Sequence, residues 1–169
     1  MKLVKPSTKY KSQVMEYRNE FISNGDDLAG TSYLRQYENF EEWLKFVQDN
    51  ENEQTKQSEV TASVFLAIRE EDDRLIGFTN IRHALNDYLF NYGGHVGYSV
   101  RKDERRKGYA TEILRKTLKE CRRIGIDRVL LACDKSNVAS SKVIQLYGGE
   151  LENEVLNDGE VILRYWVDL

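Results

Sequence analysis

Several residue types are scarce in this chain of 169 residues, and each shortage excludes something. It has one proline, Pro6, so no proline-rich linker divides it. Its two cysteines, Cys121 and Cys133, fall at apolar positions of a helix and a strand, which indicates small core residues in a reducing compartment. The opening segment MKLVKPSTKY has no apolar signal-peptide core, and no stretch approaches the length of a membrane span. We therefore expect a cytoplasmic protein with no membrane partner.

The chain also lacks a large excess of charge of either sign. The formal net charge is −3 and the sequence pI is about 5.6, which argues against a general nucleic-acid binder. A slightly acidic body favours cationic substrates such as amines through electrostatic steering, although the same balance is typical of an ordinary soluble surface.

Both familiar nucleotide-binding motifs are missing. There is no G-x-x-x-x-G-K-[ST] and no G-x-G-x-x-G after a strand, which argues against a P-loop and against a dinucleotide fold. What is present is RRKGYAT, residues 105–111. It lies between a predicted strand, His95 to Val100, and an amphipathic helix whose apolar positions recur at helical spacing.

A basic, glycine-containing turn between a strand and a helix is suited to holding an anion. The first amides of a helix have no intrahelical partner, and the helix dipole adds partial positive charge. Gly108 allows the backbone to approach a bulky group, and Arg105, Arg106 and Lys107 add charge at short range. The sequence therefore predicts a phosphate-binding turn.

The turn and the segments downstream of it resemble one enzyme family. Arg105, Gly108 and Ala110 give R-x-x-G-x-A, which resembles the pyrophosphate loop of the GNAT acyl-CoA N-acyltransferases. Downstream, residues 126–134 read as the next strand, and NVASSKVIQLYGGELE, residues 137–152, is similar to the family's N-x-x-S helix. The resemblance covers residues 60–167, best at 94–152, and is closest to the branch with ribosomal-protein N-terminal acetyltransferases.

This resemblance implies an α/β fold, with residues 1–169 forming one GNAT domain. Its mixed central sheet of about six to seven strands is flanked by helices and contains a splayed pair of central strands. The pattern places hairpins around EDDR and around NDG, residues 157–159. Before them, it predicts a strand at Leu3-Val4 and two helices, the first capped by Ser7 or Thr8 and the second by Asn39.

The resemblance also implies acetyl-CoA as co-substrate and no metal. Backbone groups of Tyr98, Ser99 and Val100 would pair with the pantetheine arm, and the turn from Arg105 through Tyr109 and Ala110 to Thr111 would hold the pyrophosphate. Asn137 would bond the pantetheine amides, cap its helix, or do both. Ser140 is a further expected contact.

The general base and acid are less well defined by the sequence. His83 and His95 are the only histidines, and both fall near the central strand, where a group that titrates near neutrality suits proton removal. His95 is the slightly better candidate for the base, because strand alternation can point it into the cleft. For both histidines, a purely structural role is the competing interpretation. Tyr147 is the candidate acid, because Ile144 occupies the position where many relatives carry tyrosine; a core aromatic is the competing interpretation.

The expected function is transfer of an acetyl group from acetyl-CoA to a small-molecule or peptide amine, by direct attack in a ternary complex. One alternative is a non-catalytic acyl-CoA-binding sensor or regulatory module. Another is a nucleotide-phosphate binder, which depends on the basic cluster alone. The sequence does not choose the acceptor among protein N-termini, lysines, polyamines, amino acids and aminoglycosides, nor between a monomer and a homodimer.

Overall fold

The computed structural model describes residues 1–169. It contains four α-helices, which are α1 Lys11–Asn24, α2 Phe40–Asp49, α3 Tyr109–Arg123 and α4 Val138–Leu146. Its seven strands are β1 Lys2–Val4, β2 Ala62–Arg69, β3 Arg74–Arg82, β4 Val96–Val100, β5 Arg128–Asp134, β6 Glu150–Asn157 and β7 Glu160–Asp168. Short helical turns occupy Thr8–Tyr10, Leu34–Gln36, Leu89–Gly93 and Lys102–Glu104.

Capping residues define the end of α1 and the start of α2. Gly25 adopts a left-handed conformation, with φ of +67°, and closes α1 as a C-cap. The Asn39 side chain caps α2, accepting a hydrogen bond of 3.1 Å from the amide of Glu42, as predicted. The cap predicted for the first helix is wrong, because the chain enters α1 through the turn at Thr8–Tyr10 and Ser7 makes no capping hydrogen bond.

The seven strands form two sheets with the orders β1-β2-β3-β4 and β5-β7-β6, and every named pair is antiparallel. The α/β class and the strand number are confirmed, while the expected mixed sheet is divided into two antiparallel ones. Tight turns join β2 to β3 and β6 to β7, which makes those two pairs antiparallel. At the β6–β7 turn, Asp158 and Gly159 have φ of 49° and 84°, the left-handed pair that a two-residue hairpin requires.

The two sheets meet at the start of β4. The amide of His95 donates to the carbonyl oxygen of Leu130 at 2.7 Å, and Gly94 and Leu131 form an isolated bridge. β4 keeps β3 on its other edge and β5 keeps β7, but beyond this point β4 and β5 share no ladder. The expected splayed pair of central strands is therefore confirmed, and it opens a cleft between the sheets.

Two main cores lie on opposite faces of the first sheet. One packs α1 and α2 against β2 and β3, with Tyr17, Trp43, Leu66 and Phe78 fully buried. The other includes residues of α3, α4 and the second sheet. None of the helices combines the length and apolar character that crossing a bilayer would require.

A matched pair of leucine substitutions tests this packing. Leu66 on β2 is 0% exposed and Leu156 on β6 is 68% exposed. Leu66→Ala should lower the free energy of unfolding by about 2–5 kcal/mol, because it removes core contacts and leaves a cavity. Leu156→Ala should change it by no more than about 0.5 kcal/mol. Urea unfolding of both variants measures the difference, and equal losses would contradict the assigned core.

Candidate functional site

Two features lie at the cleft where β4 and β5 separate. On one face of the first sheet, α3 packs against β3 and β4 and begins at the basic turn of residues 105–108. On the other face is a cavity of about 920 Å³, lined in part by Val96 and Gly97 of β4 and Ala132 of β5. Strand β4 is thus common to both features.

The basic turn ends in an open helix terminus. Gly108 is the N-cap of α3 with φ of +85°, and no side chain caps the helix. A Cβ added at Gly108 would meet no atom within 4 Å, so the space beside this backbone is free. The amides of Tyr109, Ala110 and Thr111 open the helix and lie where unpaired donors and the dipole attract an anion.

Only one of the three predicted cations is free of a carboxylate. Arg105 binds the Asp26 carboxylate at 2.6 Å and the Val100 carbonyl oxygen at 3.1 Å. Lys107 binds Glu104 at 3.0 Å. Arg106, by contrast, makes no ion pair or side-chain hydrogen bond, and its backbone is left-handed with φ of 62°.

Glu104 holds the turn to the rest of the sheet. Its side chain is 2% exposed and forms ion pairs with Arg69, Arg74 and Lys107 at 3.1, 2.8 and 3.0 Å. Burial by itself would raise the pKa of Glu104, but the hydrogen bond from Lys107 and the charge of Arg69 outweigh it, so the pKa is lowered. The β2–β3 hairpin, which carries the two arginines, is therefore fixed to the basic turn.

The side chains of the predicted β4 contacts are already engaged within the protein. The Tyr98 hydroxyl and Ser140 Oγ of α4 are 2.8 Å apart, and burial raises the pKa of Tyr98 to about 12. Ser99 Oγ donates to the Ala29 carbonyl oxygen at 2.6 Å. Beyond the junction, the edge of β4 through Val100 pairs with no strand on the β5 side, which leaves backbone groups there for a ligand.

Asn137 has the capping role that was one of its two predicted roles. Its Oδ1 accepts a hydrogen bond of 3.1 Å from the amide of Ser140 at the start of α4. The residue is exposed and its side-chain NH₂ makes no hydrogen bond in the protein. A ligand contact through this nitrogen is therefore compatible with the cap.

His95 is buried at the junction of the two sheets. Its Nδ1 accepts a hydrogen bond of 2.9 Å from the amide of Leu130, so the neutral ring carries its proton on Nε2. Burial, followed by the nearby charge of Arg82, lowers the pKa of His95. Its role as base stays a prediction, but the ring's one lone pair is already used to hold β5.

His83 and Tyr147 lie away from the cavity. His83 Nε2 is 2.9 Å from Ser63 Oγ, and burial lowers the pKa of His83. Arg82 and Ala62 line the cavity, and neither His83 nor Ser63 does. Tyr147 ends α4 and packs against the second core, and its proposed acid role stays a prediction.

The cavity walls carry aromatic and charged groups. The segment after α1 contributes Ser32 and Tyr33, two consecutive non-glycine residues with left-handed φ of 49° and 64°. Such conformations cost energy and cluster at binding sites. Tyr33 is 58% exposed, and the carboxylates of Asp27 and Glu59 line the same cavity from exposed positions.

Two wall residues were missed by the sequence reasoning. The side chain of Asn80 accepts from the Gly97 amide at 3.1 Å and donates to Ser32 Oγ at 3.3 Å, which joins β4 to the cavity wall. Arg82 lines the cavity two residues further along β3. The signal was present, because both are polar residues at alternate positions near the end of a strand that is otherwise mostly apolar.

The sequence and the fold of this chain were compared with those of known proteins. The family model described as acetyltransferase (GNAT) domain matches residues 12–150. A search of curated proteins gave no match.

Solved structures share the fold at low identity. RimL, a ribosomal L7/L12 alpha-N-protein acetyltransferase in complex with coenzyme A, is 16% identical with a TM-score of 0.70, covering 99% of this chain and 93% of its own. The microcin C7 self-immunity acetyltransferase MccE, in complex with acetyl-CoA and AMP, is 17% identical with a TM-score of 0.68, covering 99% and 91%. The ribosomal-protein-S5-alanine acetyltransferase from Vibrio fischeri is 20% identical with a TM-score of 0.66, also covering 99% and 91%.

Proposed function

Since the chain belongs to the GNAT family of acetyltransferases, we propose that it transfers an acetyl group from acetyl-CoA to a primary amine by direct attack in a ternary complex. The observation that carries this proposal is the separation of β4 and β5 between an open anion-binding turn and a cavity. Strand β4 borders both, so two substrates bound on its two sides would meet at its edge.

The donor side fits coenzyme A. The open helix terminus, the free space beside Gly108 and the unpaired Arg106 suit a pyrophosphate. Backbone groups of Tyr98, Ser99 and Val100 along the free edge of β4 would pair with the pantetheine amides, as would the side-chain NH₂ of Asn137. Acetyl-CoA supplies the acetyl group as a thioester, whose carbonyl a β4 amide would polarise.

Direct attack is favoured over a covalent enzyme intermediate. Burial raises the pKa of Cys121 to about 12 and that of Cys133 to about 11, so both thiols stay protonated at neutral pH. A protonated, buried thiol is a poor nucleophile. The amine nitrogen would therefore attack the thioester carbon itself, and the carbon–sulfur bond would break as the carbon–nitrogen bond forms.

We assign His95 a positioning role, and we propose that the amine proton leaves to water in the cavity. The His95 lone pair is occupied by the Leu130 amide, and neither histidine lines the cavity. An α-amino group has a pKa of about 8, so a useful fraction is already neutral near physiological pH. Rates should then follow deprotonation of the acceptor.

The direct test of function is release of free thiol from acetyl-CoA in the presence of a panel of amines. We expect thiol release that depends on both the protein and an amine, with an acetylated amine as the second product by mass spectrometry. Acetyl-CoA binding without any amine-dependent release would contradict the enzyme and favour a binding module.

A matched pair of glycines tests the phosphate turn. Gly108 and Gly125 flank α3 with φ of +85° and +86°, and a Cβ at either would meet no protein atom within 4 Å. Gly108→Val and Gly125→Val should therefore cost similar stability. Only Gly108→Val should weaken CoA binding, by at least roughly tenfold or 1.4 kcal/mol, because the side chain fills the space beside the turn. Calorimetry showing equal affinities in the two folded variants would remove the pyrophosphate assignment.

Arg106 and Lys107 are predicted to contribute differently to the affinity for CoA. Arg106→Ala should weaken CoA binding roughly tenfold and flatten its dependence on salt, because it removes the free charge of the turn. Lys107→Ala should have a smaller effect, because that ammonium is already held by Glu104. Affinity for a pantetheine fragment without phosphates is the control, and it should not change. Equal losses for CoA and for the fragment would show that Arg106 shapes the loop instead.

The two roles considered for His95 give different kinetics. With the positioning role, His95→Asn keeps an oxygen acceptor at the place of Nδ1 for the Leu130 amide, so turnover should stay within about tenfold of wild type and the pH–rate profiles should coincide. His95→Ala should lower the free energy of unfolding, because it leaves the buried Leu130 amide unpaired. A loss of about a hundredfold or more in His95→Asn, with the ascending limb removed, would restore His95 as the base. His83→Gln is the control, because His83 contacts Ser63 through Nε2.

A further inference from the structure

Arg82 points a partly unused guanidinium into the cavity. Its Nη1 donates to the carbonyl oxygens of Gly93 and Gly94 at 3.0 and 3.1 Å. Its Nε and Nη2 donate to no group of the protein, and neither is among the atoms sealed from solvent. Because Arg82 is part of the cavity wall, these two donors are available to a ligand there.

The two arginines that are more buried than Arg82 each have a carboxylate partner. Arg101, with a side chain 3% exposed, binds Glu20 at 3.0 Å, and Arg164, 5% exposed, binds Glu152 at 2.7 Å. Arg69 and Arg74 bind aspartates as well as Glu104. Arg82 forms no ion pair, and its hydrogen-bond partners in the protein are backbone carbonyl oxygens alone.

A half-buried cation without a counter-ion is unfavourable. Burial lowers the pKa of Arg82, which is the expected response of a guanidinium that has lost water and gained no carboxylate. A ligand carboxylate would restore the missing charge. The free Nε and Nη2 form one edge of a planar fork, and that edge matches the two oxygens of a carboxylate.

The carboxylates of the cavity do not meet this need. Asp27 and Glu59 line the same cavity but are exposed, and neither forms an ion pair with Arg82. The Glu59 side chain instead accepts a hydrogen bond from Asn86. The cavity therefore presents a half-buried cation and, at exposed positions, two anions.

We propose that the acceptor is an amine that also carries a carboxylate, and that Nε and Nη2 of Arg82 bind that carboxylate. This inference rests on the proposed function and specifies its substrate class. Arg82 lies next to the junction of the sheets, since its amide donates to the His95 carbonyl oxygen at 2.8 Å. Arg82 and Gly97 line one cavity, so a single small molecule can reach both the guanidinium and β4. Asp27 and Glu59 would attract its amino end.

The test compares acceptors that differ only in this charge. One pair is an α-amino acid and its amide, another is 4-aminobutanoate and 4-aminobutanamide, and 1,4-diaminobutane supplies a second positive charge instead. Thiol release gives kcat/KM, expressed per concentration of neutral amine to correct for differences in amine pKa. Wild-type protein should prefer the acid over its amide at least roughly tenfold in one pair, and should prefer that acid over the diamine.

Variants then assign the preference to Arg82. Arg82→Gln should bring the acid-to-amide ratio close to one without changing KM for acetyl-CoA, whereas Arg82→Lys should keep part of the preference. A merely structural effect on the Gly93-Gly94 turn would lower both rates together and leave the ratio unchanged. Glu59→Gln, which removes a charge from the same cavity, should not reduce the ratio.

The outcomes separate this inference from the proposed function. Amine-dependent turnover that ignores the carboxylate, or that favours the diamine, would overturn the inference and leave the acetyltransferase intact. A preference retained in Arg82→Gln would also overturn it. If Arg82→Gln does not fold, a full acid preference in folded Arg82→Lys would count against the fork. No turnover with any amine would overturn both.

Discussion

The site depends on a single point of contact between two sheets. Hydrogen bonds between His95 and Leu130 join the two sheets where β4 begins, and beyond this point β4 and β5 are not paired with each other. If the ladder continued, β4 would have no free edge and the cleft would close. The buried His95 ring, which accepts from Leu130, is therefore as important to the cleft's geometry as any group that faces it.

The segment after α1 ties the two sides of β4 together. Asp26 binds Arg105 of the basic turn, and the next residues, from Asp27 to Gly30, line the cavity. The segment packs tightly on β4, because a Cβ at Gly30 would lie 2.6 Å from the Gly97 carbonyl oxygen. One short segment therefore contacts both the turn and the cavity.

Some charged side chains are neutralised by ion pairs within the fold and others are not. Glu104 collects Arg69, Arg74 and Lys107, and this fixes the turn to the neighbouring hairpin. Arg106 at the turn and Arg82 in the cavity form no ion pair with a carboxylate of the protein. Unneutralised cations at two separate recesses suit two anionic groups, one on each substrate in our proposals.

Most secondary-structure elements, and the glycine turn that opens α3, could be predicted from the sequence, because these depend on local chemistry. Helical spacing, the Asn39 cap and the positive φ of Gly108 are properties of short segments, and motif spacing was enough to indicate the family.

Which charged groups and hydrogen-bond donors lack a partner could be determined only from the folded chain. Arg105, Arg106 and Lys107 look alike in the sequence, yet distant Asp26 and nearby Glu104 neutralise two of them. The same holds for His95, whose lone pair is used by Leu130, and for Arg82, whose missing counter-ion no local pattern could reveal. These pairings escape local patterns because contacts between residues far apart in the chain are set by packing of the whole fold.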